Sequence, residues 1–123
     1  MNRKERIAKA AAYLTRNGYN LAFTSPKRGV DIIVFPKEDP DTAVFVAVLD
    51  GGNSKTVPHN PFLGTKKREL RRDSLMKGSM AWMRETEWKG KCRPDAVTFL
   101  NDGTLDHCES GANYQLIHHT SRI

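Results

Sequence analysis

Hydrophobic patterning predicts one α/β domain over residues 1–123, in which a mixed β-sheet of about five strands is flanked by helices. Two segments with helical periodicity are separated by short runs rich in β-branched residues, and Gly, Pro and Asn-Asp-Gly mark the turns between them. The chain length of 123 residues is sufficient for one hydrophobic core. Helices interspersed among strands favour a mixed sheet with helices packed against it, of the α/β or α+β class.

The N-terminal half is predicted to contain one helix followed by three strands. Residues 3–17 place their apolar side chains on one helical face, and Asn17-Gly18 supplies residues that commonly end a helix. The strands are a half-buried one containing Leu21 and Phe23, the β-branched segment 30–35, and the segment 43–49. Segment 43–49 is apolar at every position, which predicts a central strand covered on both faces.

The C-terminal half is predicted to contain a second helix within residues 65–87, followed by a hairpin. Gly78 weakens this helix, because glycine costs about 1 kcal/mol relative to alanine in a helix interior. Residues 94–100 and 105–108 are expected to pair antiparallel around the Asn101-Asp102-Gly103 turn. Residues 116–123 are expected to form a frayed tail.

The excess positive charge is concentrated in one quarter of the sequence. Residues 63–93 hold ten of the 20 Lys and Arg but four of the 14 Asp and Glu, which accounts for the whole net charge of +6. Lys and Arg release counterions when they bind phosphates, so this segment is typical of a nucleic-acid-binding surface, although a merely solvated basic helix is the alternative. The candidate phosphate contacts are Lys66, Lys67, Arg68, Arg71, Arg72 and Lys77.

Composition argues against several other classes of protein. The longest apolar run, residues 43–49, is much shorter than the roughly 20 residues that a transmembrane helix needs. Residues 1–6 are charged rather than apolar, so no secretory signal is predicted, and two cysteines favour a reducing cytoplasm. A zinc site is not predicted, because the metal-capable residues lack Cys-x-x-Cys or His-x₃-His spacing. These residues are Cys92, His107, Cys108, His118 and His119.

Five short segments, taken in order, form a pattern with the spacing of a known family. The segments are Tyr13-Leu14 with Gly18-Tyr19, Gly29-Val30-Asp31-Ile32-Ile33, the strand 44–49, the basic-headed helix 71–83 and Arg93-Pro94-Asp95-Ala96-Val97. Together they resemble the YraN-like family, small bacterial proteins with the restriction-endonuclease-like fold, over about residues 5–109. The resemblance implies a nuclease scaffold that acts on DNA, by analogy branched or damaged DNA.

The chain departs from the family at the metal-binding positions. In nucleases of this fold an Asp and a Glu on neighbouring strands hold Mg²⁺, and a Lys two residues after the Glu assists the attack. The resemblance places Asp31 at the first carboxylate, whereas Ala47 and Leu49 replace the Glu and the Lys. Asp31 is therefore expected to be a buried remnant hydrogen-bonded to backbone, and a metal ligand at Asp31 is the alternative. No cofactor is predicted, and Mg²⁺ or Mn²⁺ would be needed only if the site were active.

These observations predict a nucleic-acid-binding protein without cleavage activity. An active endonuclease is the first alternative and would need ligands relocated to Asp50 and Lys55. A non-enzymatic protein-interaction scaffold is the second alternative. A homodimer would suit a two-stranded target.

Two details of the second helix stay open at this point. The basic residue at the head of the family's helix maps to Arg71 by its distance from Trp82, or to Lys66 by the Thr-Lys-Lys run, and Arg71 needs no insertion. Trp82 and Trp88 could stack on bases, but Trp82 lies on the apolar face and is predicted to belong to the core.

Overall fold

The computed structural model describes residues 1–52, 60–110 and 117–122, and in these residues each of two helices is followed by three strands. The first helix ends at Asn17-Gly18, as predicted, and the second lies within the predicted range of residues 65–87. The elements are α1 (Arg3–Arg16), β1 (Tyr19–Lys27), β2 (Val30–Pro36), β3 (Thr42–Asp50), α2 (Lys66–Thr86), β4 (Lys91–Phe99), β5 (Thr104–Glu109) and β6 (Ile117–Arg122).

The six strands form one mixed sheet in the order β1-β2-β3-β4-β5-β6. All neighbouring strands are antiparallel except β3 and β4, which run parallel from the Thr42–Lys91 pair to the Asp50–Phe99 pair. A parallel pair requires a crossover connection, and α2 lies in that connection. The predicted mixed sheet flanked by helices is confirmed, with six strands in place of about five.

Strand β3 separates two hydrophobic clusters, one under each helix. Its Val44, Val46 and Val48 pack in the cluster that includes residues of α1. Phe45 and Ala47 pack in the cluster that includes Leu75 and Trp82 of α2, hereafter the α2-side cluster. Consecutive residues of β3 belong to different clusters, because side chains alternate between the two faces of a sheet. The predicted central position of this strand, covered on both sides, is confirmed.

The first strand of the sheet is less buried than the sequence predicts. The alternation of Leu21 and Phe23 with polar residues predicts a half-buried strand whose apolar side chains face the core. In the structure these two apolar side chains leave 46% and 47% of their surface exposed. Alternation identifies which side chains share a face, but it does not reveal that β1 lies at the edge of the sheet. At that edge the ring of Phe23 lies 6.2 Å from that of Trp82 in the second helix, and this contact leaves about half of Phe23 exposed.

The predicted frayed tail at residues 116–123 is wrong for the greater part of its length. Residues Ile117–Arg122 form β6, which pairs antiparallel with β5 from Glu109–Ile117 to Thr104–Arg122. The local sequence carries little strand signal, but β5 presents an open edge of backbone N–H and C=O groups to pair with. Tertiary pairing therefore outweighs local propensity here.

Neither helix in the described ranges is long and apolar enough to cross a membrane.

Gly78 permits a close approach between α2 and the turn that joins β1 to β2. A Cβ atom at this position would lie 2.5 Å from the carbonyl oxygen of Arg28 and 2.9 Å from a methyl group of Val30. Real Cβ atoms do not approach backbone this closely. The residue that lowers the helix propensity of α2 thus allows the helix to pack on the sheet.

Replacing Gly78 with Ala is expected to destabilise the protein by about 1–2 kcal/mol, because overpacking outweighs the gain in helix propensity. Urea unfolding followed by circular dichroism measures the change. Met80→Ala is the control, since Met80 is 57% exposed on the same helix and its truncation is expected to change stability by less than about 0.5 kcal/mol. A Gly78→Ala protein more stable than the wild type would contradict the proposed close contact.

Candidate nucleic-acid interface

A pocket of about 590 Å³ opens where the first turns of α1 and α2 meet the C-terminal end of β3. The first helix contributes two arginines to its lining, and the N-terminal half of the second helix contributes three basic side chains. These five cations, hereafter the basic cluster, are Arg3, Arg6, Lys67, Arg68 and Arg71. The basic cluster brings together charges that are far apart in the sequence.

Both helices begin beside this pocket. The side chain of Asn2 caps α1 by accepting the N–H of Glu5 at 2.8 Å, and Thr65 caps α2 by accepting the N–H of Arg68 at 3.2 Å. The N-terminus of a helix carries a partial positive charge and unpaired N–H groups, which favour a bound anion. The helix ends therefore add to the positive potential of the basic cluster.

Asp31 lies beneath the pocket with 3% of its surface exposed. One carboxylate oxygen accepts from the guanidinium of Arg71 at 2.7 Å and from the backbone N–H of Val48 at 2.7 Å, and the other accepts from Arg3. The regular pairing of β2 with β3 reaches only to Ile32, so the Asp31 carboxylate bridges the two strands beyond the end of the ladder. The expectation of a buried Asp31 bonded to backbone is confirmed, and two arginine partners are added to it.

Arg71 is held from two sides. In addition to Asp31, its guanidinium donates to the carbonyl oxygen of Gly29 at 2.7 Å, and one fifth of its side chain stays exposed. The sequence predicts Arg71 as a phosphate contact, and the structure gives it an internal partner in the wall of the pocket. A guanidinium has five N–H donors, so Arg71 can serve Asp31 and Gly29 and still present donors to a ligand.

The side chains around Asp31 do not form a binding site for a divalent cation. Mg²⁺ needs several oxygen ligands, but both oxygens of Asp31 already face guanidinium groups. Ala47 is fully buried in the α2-side cluster, and Leu49 packs against that cluster while lining the pocket. Within the part of the chain that the structure describes, no three His, Cys, Asp or Glu side chains lie close enough to hold a metal ion.

The alternative ligands, Asp50 and Lys55, are only partly described. The carboxylate of Asp50 accepts the N–H of Gly52 at 2.9 Å and lies 3.7 Å from the guanidinium of Arg6 at the pocket. Lys55 lies outside the described residues. Asp50 therefore faces a cation, which makes it a counter-charge of the basic cluster.

The remaining predicted phosphate contacts lie outside the described lining of the pocket. Lys66 and Lys77 are exposed and Arg72 is half-buried, and none of the three belongs to the described lining of the pocket. Trp82 is 8% exposed and its ring lies 5.6 Å from that of Phe45, so its predicted place in the core is confirmed.

Arg3 and Arg6 are the pocket residues that the sequence interpretation missed. They lie in residues 3–16, which hold five Lys and Arg and one Glu, but acidic residues elsewhere cancel this excess in the sum over all residues outside 63–93. A usable signal does exist, because cations in the first turn of a helix oppose its dipole and are unexpected there. Arg3 in α1 and the Lys66-Lys67-Arg68 run in α2 both break this rule.

A second polar cluster is buried on the α1 side of the sheet, around Asp95. This carboxylate is fully buried and accepts from the two nitrogens of the Arg93 guanidinium at 3.0 and 2.9 Å, and from the N–H of Ser110 at 3.0 Å. The Nε2 atom of His107 lies 2.7 Å from the same carboxylate. Burial alone would lower the pKa of Arg93, but its hydrogen bond and charge interaction with Asp95 outweigh burial and raise it.

Burial disfavours the charged form of a side chain, so it raises the pKa of the acidic side chains near that cluster. Burial raises the pKa of Tyr19 to about 12, and the hydroxyl of Tyr19 accepts a hydrogen bond from Arg93. Burial also raises the pKa of Cys108 to about 12, with the nearby carboxylates adding to the shift. Cys108 packs in the α2-side cluster while His107 contacts Tyr13 and Tyr19, so these adjacent residues lie on opposite faces of the sheet.

Comparison with known proteins leaves the family assignment open. No protein-family model matches the sequence, and no curated protein shows significant similarity to it. The resemblance to the YraN-like family therefore stays a prediction that depends on the sequence motifs.

Proposed function

We propose that this protein binds nucleic acid and that the basic cluster holds phosphate groups of the bound strand. The observation that carries the proposal is the convergence of five cationic side chains and two helix N-termini on one pocket. Phosphate is the anion that such donors recognise best, because guanidinium groups bind it with paired hydrogen bonds. A solvated helix that served only to keep the protein in solution would not require its cations to face a pocket.

The proposal includes a restriction-endonuclease-like scaffold of the YraN-like type that has lost its cation-dependent chemistry. The element order from α1 to β4 and the pairing of β1 through β4 support it. So does the location of Asp31 on β2, with Ala47 and Leu49 on the neighbouring strand β3. The expected substrate is DNA, including branched DNA, which the protein would bind without cleaving.

Removing two charges from the pocket is expected to weaken binding more than removing two charges elsewhere. The variant Lys67→Gln/Arg68→Gln should lose affinity for single-stranded DNA at least tenfold at moderate salt. Its plot of log K against log salt should flatten by about 1.4, since each phosphate contact on a single strand contributes about 0.7. Fluorescence anisotropy at several salt concentrations measures both quantities.

The matched control is Lys37→Gln/Lys89→Gln, which makes the same change in net charge at two exposed lysines outside the pocket lining. It should leave the salt dependence unchanged. Equal losses in the two double variants would mean that binding reflects net charge alone, and the basic cluster would lose its assigned role.

One observation favours a second candidate, the protein-interaction scaffold. Leu21 and Phe23 project about half-exposed from edge strand β1, and Phe23 lies beside the core residue Trp82. This candidate predicts that Phe23→Ser changes the elution volume or light-scattering mass of the protein while leaving its affinity for DNA unchanged.

A further inference from the structure

The pocket that holds the basic cluster has a lining of mixed chemistry. Beside the five cations it contains aliphatic side chains, hereafter the aliphatic lining, among them Leu49, Leu70 and Leu100. The pocket volume of about 590 Å³ lies within the range of roughly 300–1,000 Å³ that is typical of sites for small organic ligands. Inorganic phosphate would pair with the cations and leave the aliphatic lining without a partner. The shape therefore favours a phosphate attached to an organic group.

The charge of the pocket favours a dianion. Five cations line it, and two carboxylates, those of Asp31 and Asp50, pair with members of the basic cluster, which leaves a formal charge of +3. A phosphodiester inside a strand carries one negative charge, whereas a phosphomonoester carries about −1.5 to −2 at neutral pH. A terminal phosphate therefore compensates this charge better than an internal one does.

The positions of the cations point to the same ligand. Three consecutive cations, Lys66, Lys67 and Arg68, open α2, where their charge opposes the helix dipole. An anion bound between the two helix ends would remove this repulsion. The guanidinium of Arg71 is already oriented by Asp31 and by the carbonyl group of Gly29, so it loses little conformational freedom when a ligand binds.

From these features we propose that the pocket binds a nucleotide that carries a terminal phosphomonoester, as found at the phosphorylated end of a nucleic-acid strand. The inference rests on the proposed function and makes it more specific, because it gives a terminal phosphate preference over an internal one in the pocket. The phosphate contacts the basic cluster, and the sugar and base contact the aliphatic lining. A free mononucleotide has the same chemistry, and the experiment separates it from a strand end.

The test compares labelled single-stranded DNA probes of one sequence by fluorescence anisotropy. The probes carry a 5′-phosphate, a 3′-phosphate or hydroxyl groups at both ends, and a fourth probe is a closed circle without ends. We expect one phosphorylated probe to bind at least tenfold more tightly than the hydroxyl-ended probe and the circle. A deoxynucleoside monophosphate should compete for the pocket, whereas inorganic phosphate at the same concentration should not.

Two substitutions on α2 locate the effect. Leu70→Trp narrows the pocket at a residue that is 55% exposed, so the protein should fold and lose its preference for the phosphorylated end. Met80→Trp adds the same side chain at a residue 57% exposed on the same helix but outside the pocket lining, and it should keep the preference. Neither substitution removes a charge, so a loss of the preference in Leu70→Trp alone reflects the narrowed pocket and not a weaker electrostatic attraction.

The outcomes separate this inference from the proposed function. Equal affinity for all four probes would overturn the terminal-phosphate site while leaving nucleic-acid binding in place. Absence of binding to every probe would overturn both. Competition by inorganic phosphate as strong as that by the mononucleotide would overturn the assigned role of the aliphatic lining. A mononucleotide that binds as tightly as the phosphorylated strand would assign the site to free nucleotides, which overturns the assignment to strand ends.

Discussion

Replacing Asp95 with Ala is expected to lower the free energy of unfolding by about 3–5 kcal/mol, the cost of removing one partner from a buried ion pair. The Asp95 carboxylate is fully buried, and it accepts three hydrogen bonds from Arg93 and Ser110 and contacts His107. Without it, the guanidinium of Arg93, whose side chain is 22% exposed, keeps its charge but loses its principal counter-ion. The N–H of Ser110 also loses its acceptor, which adds a desolvation cost.

Urea unfolding of Asp95→Ala and Asp95→Asn provides the measurement. Asn has nearly the shape of Asp and can accept hydrogen bonds through one oxygen, but it carries no charge to balance Arg93. Its loss should therefore be smaller than that of Ala. Glu38→Ala, at an exposed carboxylate in the turn between β2 and β3, should change stability by less than about 0.5 kcal/mol. A loss below about 1 kcal/mol for Asp95→Ala would show that this network contributes little to stability.

The fold was predictable where local sequence and tertiary environment impose the same pattern. Helix α1 follows its apolar stripe and ends at Asn17, whose backbone N–H bonds the carbonyl oxygens of Tyr13 and Leu14. Segment 43–49 is apolar at every position because both faces of β3 are covered, so its central place could be inferred directly from composition. The Asn101-Asp102-Gly103 turn was equally direct, since Gly103 has a positive φ of 82°.

The features that could not be predicted depend on contacts between distant parts of the chain. Strand β6 forms because its backbone pairs with the edge of β5, and the local sequence gives no indication of this pairing. The partners of Asp31 lie 28 and 40 residues away from it, at Arg3 and Arg71. The motif comparison identified Asp31 as a lone carboxylate, but only the fold brings two cations to it. The same holds for Arg93 and Tyr19, which lie 74 residues apart in the sequence.

We expect Asp31→Ala to lower the free energy of unfolding by about 2–4 kcal/mol, somewhat less than Asp95→Ala because one of the two arginines is more exposed. The Asp31 carboxylate connects both helices to the ends of β2 and β3 through Arg3, Arg71 and the N–H of Val48. Arg71 accounts for most of the expected loss, since its side chain is 20% exposed and that of Arg3 is 55% exposed. Urea unfolding measures the change, and Arg3→Ala should lose about 1 kcal/mol or less.

Manganese separates this structural role from a catalytic one. A ligand that binds only the folded state raises its stability according to its concentration and affinity. Because both oxygens of Asp31 face guanidinium groups, Mn²⁺ is expected to leave the melting temperature of the wild-type protein unchanged. Mn²⁺-dependent cleavage of DNA that disappears in Asp31→Asn, with the fold retained, would contradict this interpretation and restore the active-nuclease alternative.

Removal of both charges gives the sharpest test of the Asp31–Arg71 pair. Replacing both members of a buried ion pair by apolar groups costs less than removing one member, because no uncompensated charge is left behind. The double variant Asp31→Leu/Arg71→Met should therefore be more stable than Asp31→Leu alone. If Asp31 served a metal ion, Arg71→Met would relieve nothing, and the two losses would simply add. Recovery of stability in the double variant would thus identify Asp31 as the internal counter-ion of Arg71.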